Sequence, residues 1–194
     1  MEYDVLYEPA DIVIHVQGKG IVLKEKSLVA FQKNDNKVVA YGTDAERLIG
    51  KDTDNIVVLS PFRQGMVWEF TVAVKLFSLL FKKAFGKKFF KRPKVAVCVP
   101  TGITPVEKKA IMDMLNISVV AKELFIVDIP VETFIREFPE KFPNEYRKFK
   151  ITVGITKDEP ERYVEEKLKD ALIYAEQEQI SPDRVCELLQ RLKE

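Results

Sequence analysis

Residues 90–104 read FKRPKVAVCVPTGIT, and residues 105–115 continue PVEKKAIMDML. The run Val95, Ala96, Val97, Cys98, Val99 is apolar without alternation, which marks a strand buried on both faces, as in a mostly parallel sheet. Thr104 precedes Pro105, and Glu107 follows three residues after the threonine. That is the pattern of a capping box with proline in the first turn, so a helix is expected over 105–115. A doubly buried strand running through a short turn into a capped helix is a repeating unit of α/β architecture. The alternation continues downstream. Residues 124–128 read as a second buried strand, a helix is expected near 130–138, and 150–155 (KITVGI) is a third strand. This order and spacing predict an α/β core with right-handed crossovers.

Upstream the elements are shorter. Residues 11–17 (DIVIHVQ), 21–23, 27–32 and 37–41 read as a strand meander with turns at 18–20 and 34–36. Thr43 or Asp44 is expected to cap a short helix that ends at Gly50. Residues 56–59 form a short strand, and 71–84 a helix with Val72, Leu76, Leu79, Leu80 and Lys83 at helical spacing. Beyond Asp158 the character changes. Residues 161–179 read as a long helix, and Ser181-Pro182 opens another with Val185, Leu188, Leu189 and Leu192 as its stripe. Residues 157–194 hold eleven acidic and seven basic side chains, net −4. The expected organisation is a domain over 1–156, including a small inserted lobe near 31–68, with a C-terminal helical pair over 157–194 packing on it.

With 194 residues, 46% of them apolar and 31% charged, the composition is that of an ordinary globular domain. A net charge of +1 argues against nucleic acid as a partner. The N-terminal residues show no cationic leader, and no window has the apolar length of a spanning helix, so the cytoplasm is the expected compartment. Cys98 and Cys186 lack metal-ligand spacing, and Cys98 reads as a small buried hydrophobe. The single histidine, His15, alternates with apolar neighbours on a strand and reads as an ordinary strand side chain. There is no nucleophile elbow, no Walker-type glycine loop and no carboxylate–histidine cluster. No metal and no cofactor are expected.

Four strings carry a family resemblance: GKGIVL (18–23), DAERLIGKDTDNIVVLSPFRQGMV (44–67), FKRPKVAVCVPTGIT (90–104) and VEKKAI (106–111). In this order and spacing the chain resembles the MreB family, the bacterial actin-like, rod shape-determining proteins, over the first half of such a protein. The resemblance implies half of an actin-like (ribonuclease H-like) fold, a mixed sheet with flanking helices, and a place in the cytoskeleton that sets cell shape. It also implies where a nucleotide would sit. A working member opens with an Asp-x-Gly-Thr hairpin whose backbone N–H groups wrap the phosphates and whose Asp helps hold the metal ion. Counting back from Gly18 places Leu6-Tyr7-Glu8-Pro9 at that turn. Leucine cannot coordinate magnesium, Glu8 adds repulsion on the order of several kcal/mol where poorly solvated, and Pro9 removes a donor. The family's second hairpin, Asp-x-Gly-Gly-Gly-Thr, has one candidate, residues 150–159 (KITVGITKDE), without the Asp and the glycine run. Its reading as a plain strand ending in a turn is preferred. The family's water-positioning acid, in an Ile-Glu-Glu-Pro string, falls on Asp128 of Val127-Asp128-Ile129-Pro130. Without a phosphate or metal beside it, Asp128 is expected to be a relic carboxylate.

Residues 81–94 (FKKAFGKKFFKRPK) interleave seven cations with Phe81, Phe85, Phe89 and Phe90. Gly86 should end the helix, so Lys87, Lys88, Phe89, Phe90, Lys91 and Arg92 project as a loop suited to an anionic membrane surface. Each cation contributes about 1 kcal/mol near such a surface. The resemblance agrees, since family members carry a small hydrophobic insertion loop there. The expectation is a non-catalytic cytoskeletal interaction or scaffold module, contacting family filaments or itself, and peripheral at the inner face of the cell membrane. Two alternatives stand beside it: an ATP-binding half completed by another chain, and a free-standing membrane-binding module.

Overall fold

Asp11–Val16 (β1) and Gly20–Lys26 (β2) form an antiparallel hairpin whose turn uses Gly18 and Gly20, both at φ 80°. Val29–Gln32 (β3) and Val38–Tyr41 (β4) follow, then a short helix Thr43–Glu46 (α1) and Ile56–Leu59 (β5). Phe62–Arg63 (β6) and Met66–Val67 (β7) make a two-stranded ribbon before the helix Phe70–Phe85 (α2). Lys94–Cys98 (β8), Pro105–Val119 (α3), Glu123–Val127 (β9), Val131–Glu137 (α4) and Ile151–Ile155 (β10) complete the order. The computed structural model describes residues 9–51, 55–63, 66–86, 92–100, 102–137 and 148–156. Residues 9–158 cluster as one compact unit. The expected helical pair over 157–194 lies outside the described residues.

The central sheet has the strand order β2-β1-β10-β8-β9. β10 runs antiparallel to β1 and parallel to β8, and β8 runs parallel to β9, so the sheet is mixed. Period-two alternation divides its side chains between two cores. Ile12, Ile14, Val95, Val97, Val153 and Ile155 point to one face, where α2 contributes Leu76, Phe77 and Leu80 and α3 contributes Ile111, Met114 and Leu115. Val13, Ala96, Cys98 and Val127 point to the other, against Val131 and Phe134 of α4 and Phe149. Burying side chains of this size is worth about 1.5–3 kcal/mol each, which is why the strands here read as unbroken apolar runs.

α3 starts as its sequence predicts. The Glu107 N–H donates to Thr104 Oγ1 at 3.3 Å, and the Thr104 N–H donates to the Glu107 carboxylate at 2.5 Å, with Pro105 in the first turn. The helix runs four residues past Leu115 to Val119, and Val120 ends it in the left-handed conformation.

Three local expectations are corrected. The first four strands are not one meander: β1 and β2 belong to the central sheet, while β3 pairs with β4 and β5 in a separate three-stranded sheet. Turn residues locate strand ends but not which sheet a strand joins. α1 is not capped by Thr43 or Asp44. Gly42 holds the cap position at φ 65° without a side-chain bond, and the carboxylate of Glu25 on β2 accepts from both the Thr43 N–H (2.8 Å) and the Thr43 hydroxyl (2.9 Å). The buried face of α2 is Ala73, Leu76, Phe77, Leu80 and Phe81, rotated from the predicted stripe. Leu79 is half-buried, and Lys83 leaves the core to reach Glu25 at 2.5 Å.

Candidate functional site

In sheets of this kind, ligands bind beyond the carboxyl ends of the parallel strands. Here that edge is formed by the ends of β8, β9 and β10 and by the start of the antiparallel β1. Along it lie Asp11 and Thr156 at one side, Val99 and Pro100 after β8, and Asp128 after β9. Sequence reasoning expected the phosphate turn at Leu6-Tyr7-Glu8-Pro9; of these only Pro9 is among the described residues.

A hairpin entering β1 from residues 6–9 requires a preceding strand hydrogen-bonded to β1. Both edges of β1 are already filled, by β2 and by β10. β10 closes against the start of β1 through Ile12 opposite Ile155. The Thr156 N–H donates to the Asp11 carbonyl at 3.0 Å, and the Asp11 N–H donates to Thr156 Oγ1 at 2.8 Å. The run proposed for the second hairpin is therefore a central strand, buried at every position. The sequence that follows β10 reads Thr156-Lys157-Asp158-Glu159, two acids and no glycine.

The carboxylates of this edge are bound to lysines. Asp11 pairs with Lys24 at 3.1 Å and Lys26 at 3.0 Å. Asp128 follows β9 and is exposed, and its oxygen takes the Lys108 ammonium of α3 at 2.5 Å. The ion pair uses one of the two carboxylate oxygens and turns Asp128 toward α3. Cys98 is buried against α4, and burial, with the nearby Glu132 carboxylate second, pushes its thiol up to about 12, so it stays protonated and unreactive at neutral pH. Burial also lowers the His15 pKa, which favours the neutral imidazole. His15 sits opposite Thr152, with β10 and β8 between it and β9, so it forms no pair with Asp128. Among the described residues, no three potential metal ligands gather into a group. None of their helices is long and apolar enough to cross a membrane.

Of the expected membrane loop, Arg92 is described and exposed. Lys87, Lys88, Phe89, Phe90 and Lys91 lie outside the described residues. Glu25 was missed by sequence reasoning. Its signal was the period-two pairing with Leu23, which places both on the inner side of β2.

The sequence model of the family described as "MreB/Mbl protein" matches residues 8–135. The chain belongs to the MreB/Mbl family. Its curated relatives include the cell shape-determining protein Mbl of Bacillus subtilis (strain 168), 42% identical over 104 residues, covering 54% of this chain and 31% of that protein. The cell shape-determining protein MreB of Escherichia coli (strain K12) is 34% identical over 131 residues, covering 65% of this chain and 38% of that protein. The chain thus spans about a third of the length of these relatives. Among solved structures, MreB5 of Spiroplasma citri bound to AMPPNP superposes with a TM-score of 0.56 at 24% identity, over 63% of this chain and 37% of that one. The same protein bound to ADP gives 0.55 at 25% identity, over 63% and 36%. The actin-like fold expected from the strings is thereby established for the matched part. The MreB/Mbl match stops at residue 135, before β10 begins at Ile151. The middle strand of the sheet comes from outside the family-matched region.

Proposed function

We propose that this chain serves the cell-shape cytoskeleton of the MreB/Mbl family as a non-catalytic interaction module that does not handle ATP. The observation that carries the reading is β10. It takes the edge of β1 that a phosphate hairpin at residues 6–9 would need, and the sequence that follows it, 156–159, offers no glycine for close backbone approach to a phosphate. Asp128 fits the same reading in that its described partner is the Lys108 ammonium, on one of its two oxygens. The Spiroplasma citri relative was crystallised with AMPPNP and with ADP; this chain keeps the sheet and gives up the cradle. Calorimetric titration with Mg-ATP is expected to give no binding heat up to millimolar concentration. A dissociation constant in the micromolar range would overturn the reading. Co-sedimentation with filaments of an MreB-family protein is expected without nucleotide in the module itself.

The module is further proposed to work at the inner membrane surface through the connector between α2 and β8. α2 ends at Gly86 (φ 71°) and β8 starts at Lys94. The connector sequence holds Lys87, Lys88, Lys91 and Arg92 around Phe89 and Phe90. Cations near anionic headgroups and rings entering the interface act together there. Replacing both aromatics (Phe89→Ser with Phe90→Ser) is expected to reduce pelleting with phosphatidylserine-containing vesicles several-fold without changing the unfolding midpoint. Equal pelleting of both proteins would remove the membrane role.

A further inference from the structure

A cavity of about 430 Å³ opens between the three-stranded sheet and the first turns of α2, within the size range of small-molecule sites. Phe31 of β3, Val57 and Leu59 of β5 and Val72 of α2 form its apolar lining, and Lys33 and Lys75 are its cations. No carboxylate lines it among the described residues, and neither lysine has an ion-pair partner among them. The Lys75 ammonium lies 5.3 Å from the centroid of the Phe31 ring, which holds its charge over the aromatic face beside the cavity.

Lys33 sits on a fixed turn. Its N–H donates to the Asn55 carbonyl at 2.8 Å, the Asn36 N–H donates to the Gln32 carbonyl at 2.9 Å, and the Lys37 N–H donates to the Asp35 carboxylate at 3.0 Å. Asp35 is thus occupied within the turn and does not line the cavity. α2 begins beside the cavity through Thr71 and Val72, and Glu69 at its cap position makes no side-chain bond to the helix and does not line the cavity. The positive end of the helix adds to the field of the two lysines.

An apolar slot with cations and no acid selects a ligand with a water-avoiding body and one negative end. We propose that this cavity binds a free single-chain carboxylate amphiphile, its chain against Phe31, Val57, Leu59 and Val72 and its head toward Lys33 and Lys75. The site is independent of the nucleotide question, since it lies on the three-stranded sheet rather than at the carboxyl edge of the central one.

The test is titration of the full chain, isotope-labelled for amide NMR, with dodecanoate below its micelle concentration. Saturable one-to-one binding at micromolar concentration is expected, with the largest shifts at Phe31, Val57, Leu59 and Val72. Dodecyltrimethylammonium, which has the same chain with a cationic head, should bind at least tenfold more weakly. The double charge reversal Lys33→Glu with Lys75→Glu alters only exposed side chains and should cost at least tenfold in dodecanoate affinity. Val57→Trp, which fills the slot, should abolish binding at an unchanged fold. Equal affinity for the cationic amphiphile overturns the proposal. So do unchanged affinity of the folded charge-reversed protein, shifts confined to another surface, and absence of saturation below the micelle concentration.

Discussion

Gly154→Ala is expected to destabilise the protein by about 3 kcal/mol, at the upper end of what overpacking a core costs. A Cβ at Gly154 would overlap the Cβ and both methyl carbons of Val131. The Val131 Cβ is fixed to the backbone of α4, so no rotamer change relieves the overlap. Either α4 moves away from the sheet or β10 bends, and both open the core formed by Val13, Ala96, Cys98 and Phe134. For a domain of this size the change corresponds to a fall of about 6–12 °C in thermal midpoint. Val131→Gly removes the obstructing carbons. The two substitutions together should then cost less than their sum, a coupling that a double-mutant cycle measures directly. A Gly154→Ala protein that melts with the parent would show that α4 does not lie on β10.

The second large effect is expected at Glu25. Among the described residues it is the one buried acid, 8% exposed, and it ties three elements together: its own strand β2, the first turn of α1 through Thr43, and α2 through Lys83. Glu25→Ala leaves the Thr43 N–H and hydroxyl without their acceptor and Lys83 without its counter-ion, a loss of about 2–4 kcal/mol. Gly42 adds a steric reason for this arrangement, since any side chain there would run into the Glu25 carboxylate. Burial pushes the Glu25 pKa up, but the Lys83 hydrogen bond and the two bonds from Thr43 outweigh it, and the carboxyl lies below its ordinary value. The folded value being the lower one, the stabilisation is complete above the unfolded glutamate pKa and disappears as pH falls through the folded pKa. Lys83 is held above its ordinary value by the same contact, so at the alkaline end the contribution is lost as pH rises through the folded lysine pKa. Denaturant unfolding as a function of pH should therefore show a shallower acid limb in Glu25→Gln than in the parent. Parallel acid limbs would show that the carboxylate makes no net contribution.

Much of the fold could be read from residues whose signals are local. The apolar run of β8 and the Thr104–Glu107 box placed a strand and a helix correctly because burial on both faces and capping are decided within a few residues. The order of strands is not local. Nothing in KITVGI distinguishes an edge strand from one inserted between β1 and β8; that is decided by pairings with residues 11–16 and 94–98. The helix face of α2 was misjudged by a fraction of a turn, because Leu79 and Lys83 lie on a shoulder where apolar and cationic stems are equally tolerated. At the candidate site the degenerate phosphate turn was visible as substitutions in a string. The pairing of β10 along the edge of β1 was visible only in three dimensions.

The placement of β10 bears on how this chain is made. Its partners on β1 are some 140 residues earlier in the sequence, the Asp11 to Thr156 bond spanning 145 positions. As the polypeptide leaves the ribosome, residues 11–16 and 94–98 emerge before 151–155, the strand that pairs with both. Long-range closure of that kind is slow, and open edges of apolar strands invite pairing with other chains. Until residues 151–155 pair with both neighbours the sheet cannot close, and that is when a holding chaperone would have the most to contribute.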